Sequence, residues 1–272
     1  MRMIYGVKSA NQYLYHYTGA DIARDFVLKN RTLKLGRILD TNDPRETKDW
    51  EFNLWTAGAH DTGQYKMAET SRWLSSALKS NVRIACFCQD RAPLTGDHVG
   101  EILQRGFAKP RMWAQYGRNH SGVCLVFDRE KLLDSVRKNL NGNTCWVGNV
   151  SYRDHFIVRA LTRNEFMIDV DELELVGPDR YAANHLVRHH DELFFEKLQD
   201  WRDETEWRMM VYGPGSDPIF LPIEQALVGV MHGASTRPEA SEEIIALTDI
   251  EQVEHMGLVW KNSNPWYDLG SF

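Results

Sequence analysis

At 272 residues, 43% hydrophobic and 26% charged, the chain is long enough for one large domain or two modest ones with a substantial core. A formal net charge of −6 argues against a dedicated high-affinity nucleic-acid binder, and no apolar run approaches the roughly 20 residues of a membrane helix. The N-terminus "MRMIYGVKSANQ" lacks the apolar stretch and cleavage site of a signal peptide, so a cytoplasmic protein without a membrane partner is expected.

In chain order, "QYLYHYT" (12–18) alternates as a short strand, and Thr18 and Gly19 open a helix reaching about residue 30. "TLKLGRILD" reads as a strand and "TNDPRE" as a turn with a capped helix start. Residues 45–80 read as mostly helical, and "VRIACFC" as a buried strand. Residues 89–108 are loop-like, and "PRMWAQYG" gives one or two helical turns stopped at Gly117. "SGVCLVFD" is a strong strand, "REKLLDSVRKNL" a helix, and "TCWVGNVSY" a strand segment. A helix over 179–199, a strand over 204–212, the turn "YGPGSDP", the strand "ALVGVMHG", a helix from about Pro238 to Leu247 and a strand near 255–260 complete the chain. Irregular alternation of strands and unequal helices points to an α+β fold, taken as one domain over 1–272 with helical insertions at about 45–80 and 179–200.

Charge is uneven. Residues 1–37 carry seven Lys or Arg against two acids, and residues 239–272 carry seven acids against one Lys. A local basic face attracts phosphates whatever the total charge, so nucleic acid stays open as a substrate. The four cysteines (Cys86, Cys88, Cys124, Cys145) lie on strand-like segments without a C-x-x-C knuckle, which fits buried free thiols. No glycine-rich phosphate loop of the P-loop or dinucleotide type is present.

Several clusters carry chemistry. "DWRDETEWRMMVYG" (200–213) places Glu204 and Glu206 two apart, and a strand over 204–212 turns both to one face. In "YLYHYTG", His16 is flanked by Tyr15 and Tyr17 and followed by the Thr18 hydroxyl, a set able to meet a sugar and a flat heterocycle; an aromatic core strand reads equally well. "RMWAQYGRNH" sets Trp113 and Tyr116 three apart with Arg111 and Arg118 beside them, either a wall for a nucleobase and its phosphates or a helix packing Trp113 into the core. In "TNDPRE", Arg45 sits at a helix N-terminus suited to an anion, with Asn42 or Asp43 as cap and Glu46 in the first turn. "NHLVRHHDELFFEK" aligns His185, His189, Glu192 and Glu196 along one helix face, enough ligands for a catalytic zinc, though without the glutamate of H-E-x-x-H.

The blocks "LYHYT", "TNDPRE", "ACFC", "MWAQYGRNHSGVCLVFD" and "LQDWRDETEWRMM", in that order over about residues 13–233, resemble the bacterial family catalogued as domain of unknown function 2971. That family is similar to ADP-ribosyltransferases of the His–Tyr–Glu type. The resemblance implies an ADP-ribosyltransferase-like split pair of β-sheets flanked by helices, binding NAD as substrate between them. By position it makes His16 the early-strand residue on a ribose, Glu206 the late glutamate, and Glu204 the residue handling the acceptor. Tyr116 or Tyr17 is the middle aromatic. Tyr17, Thr18, Asn42, Arg45 and Trp113 join His16 and Tyr116 as NAD-binding candidates, with Arg111 and Arg118 behind them. The acceptor would be a macromolecule (RNA, DNA or protein), and the resemblance suggests a toxin or antiviral effector with an antitoxin or inhibitor protein as partner. The alternatives are a metal-dependent hydrolase or nuclease built on the 185–196 helix, and a non-catalytic nucleotide-sensing module.

Overall fold

The computed structural model describes residues 4, 6–58, 61–140, 142–156, 162–213, 217–249 and 253–268; residues 214–216 of the expected "YGPGSDP" turn lie outside these. Among the described residues the strands are β1 (Tyr13–Thr18), β2 (Thr32–Arg37), β3 (Asn53–Trp55), β4 (Val82–Cys88), β5 (Val123–Asp128), β6 (Thr144–Asn149) and β7 (Ser151–Tyr152). They continue with β8 (Met167–Asp169), β9 (Glu196–Lys197), β10 (Glu206–Tyr212), β11 (Ile219–Pro222), β12 (Leu227–His232), β13 (Glu254–Lys261) and β14 (Asn264–Asp268). With the helices between them they form an α+β architecture.

Ten strands hydrogen-bond into one sheet of order β11-β2-β4-β1-β5-β12-β13-β14, with β10 lying against β4 and β6 against β10. The two separate sheets that the resemblance implied are therefore joined through β4. One edge of β4 pairs with β10 along its full length, from Cys88 opposite Glu206 to Val82 opposite Tyr212. Its other edge is shared. Arg83 and Ile84 pair with Arg37 and Gly36 of β2, whereas Cys88 pairs with Tyr15 of β1. Between these contacts β1 and β2 diverge, and a cleft opens over Ala85, Cys86 and Phe87.

The core explains why the central strands are near-continuous apolar runs rather than alternating ones. Leu14, Val123, Leu125 and Phe127 pack on one side of the sheet, and Tyr13, Tyr15, Tyr17, Cys124 and Val126 on the other. Both faces are buried, so neither face of these strands needs polar residues. A third cluster joins Trp50, Phe52, Leu74 and Leu78 to Ile84, Leu186, Phe194 and Met210.

Two helical expectations are corrected. Among the described residues of 45–80 the α-helices are Pro44–Thr47 and Met67–Ser80, with one 3₁₀ turn at Thr62–Gln64. Around Trp50 and Phe52 the chain is held out of a helix because hydroxyls of the second helix capture its amides: Ser75 Oγ accepts from Trp50 N at 3.0 Å and Ser71 Oγ from Phe52 N at 2.9 Å. The helix expected over 179–199 runs from Pro178 to Phe194 and gives way to β9 and a 3₁₀ segment, Gln199–Glu204. Among the described residues no helix is long and apolar enough to cross a membrane.

Candidate functional site

The cleft at the fork has a volume of about 540 Å³, within the roughly 300–1,000 Å³ usual for ligand sites. His16 and Tyr17 of β1 form one wall, and Lys34 and Arg37 of β2 the opposite rim. Cys86 and neighbouring β4 residues make the floor, while Asn42, Glu46, Tyr116, Lys197, Glu204 and Glu206 close one end.

His16 is placed by a backbone gap. The Cys86 carbonyl, left without a strand partner at the fork, accepts a hydrogen bond from His16 Nδ1 at 3.0 Å. That bond leaves Nε2 as the acceptor, and burial pushes the imidazole pKa below its ordinary value, favouring the neutral ring. The Cys86 thiol on the same floor is raised by burial, so it is not an activated nucleophile.

Glu204 and Glu206 do not share a strand face, as the period-two reading expected. β10 begins at Glu206, and Thr205 between the two glutamates is left-handed at φ +43°. For a β-branched residue this is an unfavourable conformation. It is held by its neighbours: Thr205 Oγ1 donates to Gln89 O at 2.9 Å, Gln89 N donates to Thr205 O at 3.0 Å, and Lys109 Nζ donates to Thr205 Oγ1. The two carboxylates nevertheless meet, because Lys197 Nζ lies 2.9 Å from Glu204 Oε2 and 2.8 Å from Glu206 Oε2.

From there a buried ionic chain runs inward. Arg208 Nε is 2.7 Å from Glu206 Oε1, and Arg208 Nη2 is 2.5 Å from Glu46 Oε1. Burial alone would raise the Glu206 pKa, but the adjacent Arg208 guanidinium and Lys197 ammonium outweigh it and hold the carboxyl well below its usual range. On the outer side, the Tyr116 hydroxyl donates to Glu204 Oε1 at 3.1 Å and accepts from Asn42 Nδ2 at 2.9 Å. Burial, and then the Glu204 charge, raise the phenol pKa, so Tyr116 stays a donor. Three carboxylates against two cations leave this chain one negative charge in excess, whereas the opposite rim carries Lys34, Arg37 and Asp40, the last two paired at 2.6 Å, so that Lys34 supplies its net positive charge.

Of the residues singled out from sequence, His16, Tyr17, Asn42, Tyr116, Glu204 and Glu206 line this one cleft. Tyr17 spends its hydroxyl elsewhere, donating to Gly106 O at 2.6 Å. Trp113 is a core residue, fully buried, with Nε1 donating to Phe107 O at 2.7 Å. Arg45 turns away to Glu196 at 2.7 Å, and Arg111 lies over the Trp201 ring and donates to Asp200 O. Thr18 pairs with Val123 outside the cleft, and Arg118 meets Asp21 at the surface.

The proposed zinc helix does not assemble ligands. Glu196 lies beyond the helix in β9, held by Arg45, Arg163 and His155, and His185 Nε2 donates to Glu165 O at 3.0 Å. Among the described residues no group of three or more His, Cys, Asp or Glu is arranged to hold a metal ion. A second cavity of about 620 Å³ lies beside His185 and His189, but its polar groups largely satisfy one another, as in the Glu172–Arg188 pair at 2.6 Å.

Sequence reading missed Lys197 and Arg208 and treated Glu46 only as a capping acid. Arg208 had a signal, since it lies two residues after Glu206 on the same strand face. Lys197 had none, because the helix was extended through it.

Comparison with curated proteins and with solved structures finds no match. Residues 112–209, which hold Tyr116, Lys197, Glu204, Glu206 and Arg208 but not His16, Asn42 or Glu46, match the family model described as "Protein of unknown function (DUF2971)".

Proposed function

We propose that the protein is an ADP-ribosyltransferase that takes NAD as substrate and transfers ADP-ribose to a macromolecular acceptor, nucleic acid or protein. One observation carries this reading: His16, Tyr116, Glu204 and Glu206 line a single cleft with an acidic end and a basic rim. NAD has matching polarity, with a cationic nicotinamide riboside and an anionic pyrophosphate. The surplus negative charge shared along Glu204, Glu206 and Glu46 stabilises the oxocarbenium character that develops as the glycosidic bond breaks, while Lys34 on the opposite rim is placed for the phosphates.

In the reaction, the bond between ribose C1′ and the nicotinamide nitrogen breaks and its electron pair neutralises the pyridinium. The acceptor nucleophile forms the new bond to C1′, and its proton passes to Glu204. His16 Nε2 accepts from a ribose hydroxyl. Tyr116, through Glu204 and Asn42, fixes the entrance where nicotinamide and acceptor meet.

Incubation with NAD tests this. Free nicotinamide is expected from the wild type, and about 10²–10³-fold less from Glu206→Gln with the fold retained. Absence of nicotinamide release from the wild type would reject the enzyme. A nucleotide-recognising module without turnover is the second reading, favoured by the ion pairs of Glu206 with both Lys197 and Arg208. NAD binding without release would select it.

A further inference from the structure

The three carboxylates at the acidic end are not equivalent. Glu206 has Oε1 against Arg208 and Oε2 against Lys197. Glu204 has Oε1 bonded by Tyr116 and Oε2 by Lys197. By hydrogen-bond geometry Glu206 Oε2 and both oxygens of Glu46 are buried without a partner among the described residues; Glu206 Oε2 has the Lys197 ammonium at 2.8 Å and Glu46 Oε1 the Arg208 guanidinium at 2.5 Å, which leaves Glu46 Oε2 as the spare acceptor. Glu46 is only 2% exposed and lines the cleft. A buried carboxylate oxygen without a donor is costly and uncommon, so this atom calls for a partner that the chain does not supply.

Its position follows from the turn. Asp43 caps the Pro44–Thr47 helix by accepting from Arg45 N at 2.9 Å. A first-turn acid on a surface helix would point to water. Here Glu46 is drawn to Arg208 of β10, at 2.5 Å, and lines the acidic end of the cleft. With both oxygens of Glu204 and of Glu206 already contacted by Tyr116, Lys197 or Arg208, Glu46 Oε2 is the spare acceptor, and the excess charge is shared along the chain.

We infer that Glu46 is a substrate-binding residue whose Oε2 accepts a hydrogen bond from the 2′-hydroxyl of the ribose beside the scissile bond of NAD. This rests on the ADP-ribosyltransferase reading. It divides the work of the three acids: Glu46 grips the sugar, Glu206 sets the field behind it, and Glu204 faces the acceptor.

The test pairs a side-chain change with a ligand change. Glu46→Gln keeps an oxygen for Arg208 and turns the free acceptor into an amide donor. Binding of NAD, and of an analogue lacking the 2′-hydroxyl of the nicotinamide-side ribose, is measured calorimetrically alongside KM and kcat for nicotinamide release. The wild type should bind the analogue at least about tenfold more weakly than NAD, as for a hydrogen bond to a charged acceptor. Glu46→Gln should bind NAD about tenfold more weakly than wild type, with KM raised by a like factor, and should no longer distinguish the two ligands. Equal wild-type affinity for NAD and the analogue overturns the inference, even where the variant fails to fold. Wild-type affinity in Glu46→Gln overturns it too, reducing Glu46 to a partner of Arg208, and leaves the enzyme reading intact. Failure of the wild type to bind NAD removes that reading and this inference with it.

Discussion

The ammonium of Lys197 stands 2.8 Å from the carboxylate of Glu206, and both side chains are buried. The same nitrogen reaches Glu204 at 2.9 Å, so one cation holds two acids that a strained turn separates. Lys197→Met would leave both carboxylates buried and short of a countercharge, which commonly costs about 3–5 kcal/mol. Urea unfolding is expected to show a loss of that size, with Lys197→Arg retaining much of the difference. A Lys197→Met protein as stable as wild type would mean that the pair is solvated.

Tyr17 and Tyr116 should separate cleanly. Tyr17→Phe leaves the Gly106 carbonyl without its 2.6 Å donor and should lower stability by about 1–3 kcal/mol with little change in NAD affinity. Tyr116→Phe removes the donor to Glu204 at the cleft entrance and should mainly alter nicotinamide release while the melting temperature moves little. Thermal melts beside turnover assays decide between them; the reverse pattern would assign the cleft to Tyr17.

Acid should unfold the protein through its buried histidines. Burial lowers His185 to about 4, His232 to about 3 and His255 to about 4. Between the unfolded value near 6.5 and these folded values, the unfolded chain binds protons that the folded chain refuses. Stability therefore falls as pH drops from about 6.5 to 4, by at most about 1.4 kcal/mol per pH unit for each ring, and is insensitive to them above 7. Denaturant midpoints at pH 7.5, 6 and 5 measure this. Flat midpoints would show that these rings are hydrated.

A Cβ at Gly122 would lie 2.2 Å from the Thr18 carbonyl oxygen, a backbone atom of β1 that cannot swing aside. Gly122→Ala should cost at least about 1–3 kcal/mol by overpacking and push β1 away from β5. Gly36 at the fork has nothing within 4 Å of its built Cβ, so Gly36→Ala should fold normally. Comparable melts for the two variants would contradict the packing at β1.

The strands β4, β5, β10 and β12 were readable because burial on both faces leaves long apolar runs in the sequence, and β1 through the alternation of "QYLYHYT". Strands such as β3, β8 and β9 were not: at two or three residues they carry no period, and partners distant in the chain hold them extended. The same contrast governs the site. His16, Asn42, Tyr116, Glu204 and Glu206 stood out by residue type and neighbours. Glu46 did not, because a carboxylate in a capped first turn is ordinary until its burial under Arg208 is known. The pairing of Glu204 with Glu206 was anticipated through strand alternation, yet it comes from a left-handed threonine and a shared lysine.

The fork at β4 gives the site an origin that side chains do not control. The hollow exists where two neighbours of one strand part company, so its width is written in main-chain twist and register. Replacing the side chains that line it outside the buried ionic chain of Glu46, Lys197, Glu204, Glu206 and Arg208 should empty the room without collapsing its walls. A cleft of this design can be fitted to a new guest by substitution alone, and, on the proposed function, variants that fail to bind NAD are the natural starting material for that trial.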